Sequence, residues 1–138
     1  MNNINLKSKL KLSTKSYLEF YNKMVPELKA ELEPKVESLL YRKFSSGNST
    51  VPLTKDSIYF RAAAIIRKLT ENPQGIKKIS KTFSRKKNRG VKPSKVVNSS
   101  RNLIRKLTRI LLDHGYLCRH LKGLYTSTKG KDLLIKNL

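Results

Sequence analysis

Apolar residues recur at helical spacing along most of this chain. Near its start Tyr17, Phe20, Tyr21, Met24, Val25, Leu28 and Leu32 fall three or four positions apart, and Ser16 with Glu19 has capping-box spacing. The pattern predicts an amphipathic helix, kinked or restarted at Pro26. Pro34 suits a first helical position and predicts a second, shorter helix that carries Val36, Leu39 and Leu40 inward. SSGNSTVP, residues 45–52, reads as a loop. Asp56 or Ser57 can then cap DSIYFRAAAIIRKLT, whose apolar face is Ile58, Ala62, Ile65, Ile66 and Leu69, with Arg61 and Arg67 off that face. Aromatic residues at this spacing, Tyr17, Tyr21, Tyr59 and Phe60, read as core before they read as base-stacking groups.

The second half has a more specific order. ENPQG is a turn, GIKKISKTF a short helix burying Ile76, Ile79 and Phe83, and SRKKNRGVKPSK a loop. Ser99 or Ser100 then starts a long helix, SRNLIRKLTRILLDH, with Gly115 placed as its C-terminal cap. YLCRHLKGLYTS alternates enough for a hairpin turning at Lys122-Gly123, and Ser127 can cap a last helix. The fold class expected is mainly α: one helical domain holding a winged helix-turn-helix-like module with a small β-hairpin. Residues 1–56 form its helical front and residues 57–138 the winged-helix-like part.

Charge changes this picture most. The 138 residues include 31 Lys and Arg against nine acids, a formal charge of +22. Self-repulsion on that scale calls for a polyanionic partner, nucleic acid ahead of a membrane surface. Five of the acids precede residue 41, whereas Asn72 to Leu112 has none and holds 13 cations. SRKKNRGVKPSK alone carries six. In the long helix Leu103, Ile104, Leu107, Ile110 and Leu111 form a core stripe, and Arg101, Arg105 and Arg109 repeat every four residues with Lys106 beside them, a cationic ridge on the other face. The cations expected to meet phosphate are Lys77, Lys78 and Lys81, then Arg85, Lys86, Lys87, Arg89, Lys92 and Lys95, then the ridge. Gly90 permits positive φ and Pro93 stiffens the loop, so less entropy is lost on binding. Cations outnumber groups suited to base edges, so RNA shape is the expected readout.

Other chemistries find little support. No GxxxxGK[ST] phosphate loop occurs, and the front acids are spaced as a helix surface. His114, Cys118 and His120 mimic a metal cluster, but a helix end running into a strand does not bring them together. The single cysteine fits a reducing compartment, no apolar run reaches the roughly 18–20 residues of a spanning helix, and MNNINLKSKLK has no apolar signal region. The expectation is a soluble intracellular protein that is not an enzyme and needs no cofactor, metal or small-molecule substrate.

SRKKNRGVKPSK followed without a gap by VVNSSRNLIRKLTRILLDHGYL resembles the centre of the small-subunit ribosomal protein S19e family of eukaryotes and archaea. IYFRAAAIIRKL is similar to that family's aromatic-Arg-Ala-Ala helix, GIKKISKTF to its next short helix and TSTKGKDLL to its closing helix start. The resemblance spans residues 57–138. It implies a mainly helical protein in the head of the small ribosomal subunit that holds ribosomal RNA, sits among neighbouring small-subunit proteins and serves subunit maturation. The location implied is the cytoplasmic ribosome, with the nucleolus during assembly in a eukaryote. Carried over by position, Arg61, Arg67, Arg85, Arg89, Gly90, Pro93, Arg101 and Arg105 fall on the RNA-facing pattern. The chain departs from the family by having Phe83-Ser84 in place of a tandem glycine, no Trp, and Thr128 where Pro is preferred. A winged-helix DNA-binding regulator is the alternative, with Ser100, Arg101 and Asn102 at the exposed helix start.

Overall fold

The computed structural model describes residues 17–137. The cap expected from Ser16 and the side chain of Tyr17 lie outside them. The elements are α1 (Tyr17–Val36), a 3-10 turn (Glu37–Leu39), α2 (Ser57–Glu71), α3 (Ile76–Thr82), β1 (Arg85–Arg89), β2 (Lys92–Val97), α4 (Arg101–Asp113), β3 (Leu117–His120), β4 (Gly123–Thr126) and α5 (Thr128–Lys136). The chain is thus mainly helical with two separate antiparallel hairpins.

α1 passes through both Pro26 and Pro34, which corrects the expected restart. Each proline removes one backbone hydrogen bond, but Met24, Val25, Leu28, Leu32 and Val36 are buried as one stripe spanning both sites. Packing of that stripe on α2 and α4 outweighs the local cost. α2 is the centre of the core, burying Ile58, Tyr59, Ala62, Ala63, Ile65, Ile66 and Leu69 against α1, α4, α5 and β4.

Four acids pair with cations of the fold, Glu27 and Glu31 of the front among them. Lys29 pairs with Asp56 at 3.2 Å, Lys129 with Glu31 at 3.1 Å, Lys136 with Glu27 at 3.1 Å and Arg67 with Glu71 at 3.4 Å. Two of these pairs tie α1 to α5. A hydrogen bond from the Tyr116 hydroxyl, helped by Lys129 and opposed by burial, holds the Glu31 carboxyl below its ordinary range.

Local capping works as the sequence predicts at α4 and α5 but not at α2, where Asp56 sits in the N-cap position without a side-chain cap hydrogen bond and pairs with Lys29 instead. The Ser100 hydroxyl accepts from the Leu103 N–H at 3.4 Å, and the Ser127 hydroxyl accepts from Gly130 N–H at 3.4 Å. α4 ends in a Schellman arrangement: Tyr116 N–H donates to Leu111 O at 3.0 Å and Gly115 N–H to Leu112 O at 3.1 Å, with Gly115 at φ 80°. The second hairpin turns at Leu121-Lys122, since His120 pairs with Gly123. This is one residue earlier than the spacing suggested. Gln74 adds a residue of third strand, exchanging hydrogen bonds of 3.0 and 2.9 Å with Leu124.

Candidate nucleic-acid interface

The basic stretch taken for a loop is the first hairpin. Arg85 faces Val97, Lys86 faces Val96, Lys87 faces Lys95 and Arg89 faces Lys92, with the register shifting at Asn88. Gly90 sits in the turn at φ 71°, and its N–H donates to Asn88 Oδ1 at 2.9 Å, so Gly90-Val91 joins the strands between the paired Arg89 and Lys92. Only Val91, Val96 and Val97 are apolar here, and Val91 and Val96 are exposed. Composition therefore gave no sign of strand, and two of the four cross-strand pairs set cation against cation. Such pairs oppose folding by a few tenths to about 1 kcal/mol each.

Hydroxyl groups hold the base of the hairpin instead of an apolar face. Buried Ser80 donates from Oγ to Ser99 O at 2.5 Å, and Ser99 N–H donates back to Ser80 O at 3.2 Å. Ser99 Oγ and Ser100 N–H both donate to Phe44 O, at 2.9 and 2.8 Å. Arg85 donates to Asn48 Oδ1, which links β1 to the Ser45–Pro52 loop. The sequence marked none of these contacts.

Two of the arginines expected to face RNA, both half-buried, are engaged by side chains within the protein. Arg61 lies between two rings, its guanidinium carbon 4.8 Å from the Phe44 centroid and 4.1 Å from that of Phe83. Burial lowers the guanidinium to about 10, so it stays charged at neutral pH, and Nη1 is buried with no hydrogen-bond partner among the described residues. The two ring faces supply part of what water would. Phe83 is therefore a structural partner of Arg61. Arg67 donates from Nε to the Tyr21 hydroxyl at 2.8 Å and pairs with Glu71, leaving its side chain 11% exposed. Arg61→Ala is expected to cost about 1–3 kcal/mol in a urea titration and to speed amide exchange at Ser99 and Ser100. Arg61→Lys should not restore either, because an ammonium cannot stack between two rings.

The remaining cations face outward. Lys77, Lys78 and Lys81 on α3, Arg85, Lys86, Arg89, Lys92 and Lys95 with Pro93 on the hairpin, and Arg101, Arg105 and Arg109 on α4 are exposed, while Lys87 and Lys106 are half-buried. Among the described residues none of them pairs with an acid. The hairpin runs directly into the start of α4, so both surfaces leave the body at one place. Arg119 and His120 of β3 line a groove with Arg105 and Arg109 of α4; the sequence drew attention to His120 only as a metal-ligand mimic and not to Arg119, although alternation along β3 could have marked one of them as exposed. Cys118 faces Tyr125 across the second hairpin, and His120 packs edge-on to the same ring at 5.8 Å. Among the described residues no three His, Cys, Asp or Glu side chains are grouped to hold a metal.

Fold and surface together define a small, strongly basic, mainly helical protein whose cations are concentrated on one hairpin and one helix face. The chain belongs to the ribosomal protein S19e family, whose sequence model it matches over residues 17–137. It is 37% identical over 95 residues to small ribosomal subunit protein eS19 of Thermoplasma acidophilum, covering 68% of this chain and 63% of that protein. It is 35% identical over 88 residues to small ribosomal subunit protein eS19B of Drosophila melanogaster, covering 63% and 57% respectively. The match thus spans less than two thirds of either relative's length.

Proposed function

We propose that this chain is a structural constituent of the small ribosomal subunit, seated in its head, which holds ribosomal RNA through the β1–β2 hairpin and the ridge of α4. It acts by binding, without catalysis, beside neighbouring small-subunit proteins, and it serves subunit assembly and RNA maturation. The ribosome places it in the cytoplasm, with a nucleolar stage in a eukaryote. The observation that carries this reading is the hairpin's own register. Lys87 against Lys95 and Arg89 against Lys92 are repulsive until an anion lies along them, and no acid of the described chain does so. Closely spaced phosphates would neutralise them and release condensed counterions. The RNA-facing set is Lys77, Lys78, Lys81, the hairpin cations, Gly90, Pro93, Arg101, Arg105, Lys106 and Arg109; Arg61 and Arg67 shape it from within.

The chain is read as one domain. The order α2, Gln74, α3, α4, β3, β4, with Gln74 paired to β4, supports a winged-helix-like arrangement of its second part. A DNA-reading winged helix joins its two inner helices by about 3–4 residues. Here the whole β1–β2 hairpin stands in that place and meets the start of α4. A major groove admits one helix or one two-stranded ribbon, so the RNA reading is favoured over a DNA regulator.

Fractionation on a sucrose gradient tests the proposal. The protein is expected in the small-subunit peak, leaving it only at high salt. Its recovery at the top of the gradient while small subunits sediment would defeat the proposal.

A further inference from the structure

We infer that the groove between α4 and the β3–β4 hairpin receives one unstacked nucleotide of single-stranded or bulged RNA, a reading that rests on the RNA-binding role proposed above. The groove has a volume of about 330 Å³. That is the lower end of the range of roughly 300–1,000 Å³ for sites taking small organic groups. Arg105 and Arg109 form one wall, Arg119 and His120 the other, and Ile76 and Leu112 are among the apolar residues between them. Among the described residues no acid lines it, and none pairs with any of its three arginines.

The combination selects the occupant. A site for phosphate alone has no use for an apolar floor, and one for an apolar side chain would not be walled by guanidinium groups. A nucleotide has both an anionic oxygen set and an apolar ring face. Arg105 and Arg109 continue the line of Arg101 and meet the phosphates on either side of the nucleotide. Arg119 stands off that line on the facing wall, where its guanidinium plane covers the base while the other face of the base rests on Ile76 and Leu112. RNA-binding surfaces commonly stack splayed bases on such planes. The His120 ring packs edge-on to Tyr125 at 5.8 Å, and Tyr125 does not line the groove, so the base-covering role on this wall falls to Arg119.

The test uses the full chain and three stem-loop RNAs of one sequence: fully paired, carrying one 2-aminopurine bulge, or carrying an abasic bulge. Anisotropy titrations are expected to show the bulged RNA bound about tenfold more tightly than the abasic one, as stacking of a single base implies. Arg119 is exposed, so Arg119→Gln should fold normally and bring that ratio close to one. Equal affinity of the native chain for all three RNAs overturns the nucleotide site while leaving RNA binding intact, and so does a tenfold ratio that survives Arg119→Gln. Failure to bind any of the three overturns the RNA-binding reading itself.

Discussion

Replacing Lys87 and Arg89 with glutamate is expected to stabilise the free protein and to remove most of its RNA affinity. Lys87 stands opposite Lys95, and Arg89 opposite Lys92. Each substitution turns a repulsive cross-strand pair into an attractive one, a gain of roughly 0.2–1 kcal/mol per pair. That should raise the melting temperature by a few degrees. Each also withdraws a cation from the surface proposed to meet phosphate and puts an anion in its place. Affinity for ribosomal RNA should fall about 100-fold near physiological salt, and the log–log salt slope should become shallower by about two, on the order of one per lost phosphate contact. Stability and binding moving in opposite directions would show that the hairpin is built for its partner. Unchanged affinity in both substituted positions would remove the hairpin from the interface.

Gly123→Ala is the substitution expected to cost most stability. Gly123 sits at φ 122°, and a Cβ there would lie 2.6 Å from the carbonyl carbon of Gln74 and 2.7 Å from its oxygen. Both are backbone atoms, and the oxygen accepts from the Leu124 N–H at 2.9 Å, so neither can swing aside. Backbone strain and overpacking together should cost about 2–5 kcal/mol, seen as a lower urea midpoint. Gly90 offers the control. It is at φ 71° with nothing within 4 Å of an added Cβ, so Gly90→Ala should cost only the left-handed strain of about 1–2 kcal/mol. Equal losses at the two positions would show that the approach of Gln74 is not what demands a glycine at 123.

The helices α2 to α5 were legible because their signals are local: apolar residues at helical spacing and hydroxyl or glycine caps such as Ser100, Ser127 and Gly115. The ridge of Arg101, Arg105 and Arg109 followed from the same spacing, since a residue on the face opposite a buried stripe is exposed unless another element covers it. Covering is what the sequence could not show for Arg61 and Arg67. Both lie off the apolar face of α2, yet Phe44 and Phe83 close over the first and Tyr21 and Glu71 engage the second.

The hairpin failed to declare itself for a different reason. Strand patterns are read from one apolar face, and Arg85 to Val97 has none; its pairing is fixed by the Asn88-Gly90 turn and by serine contacts contributed from Phe44 through Ser99. α1 is a third case, where a stripe buried against two partners overrode two prolines. By itself, then, the sequence determined the family, the helices and the concentration of positive charge, all of which depend on near neighbours along the chain. Which cations remain exposed and unpaired among the described residues was decided only by the tertiary structure, because burial and pairing depend on residues distant in sequence and close in space.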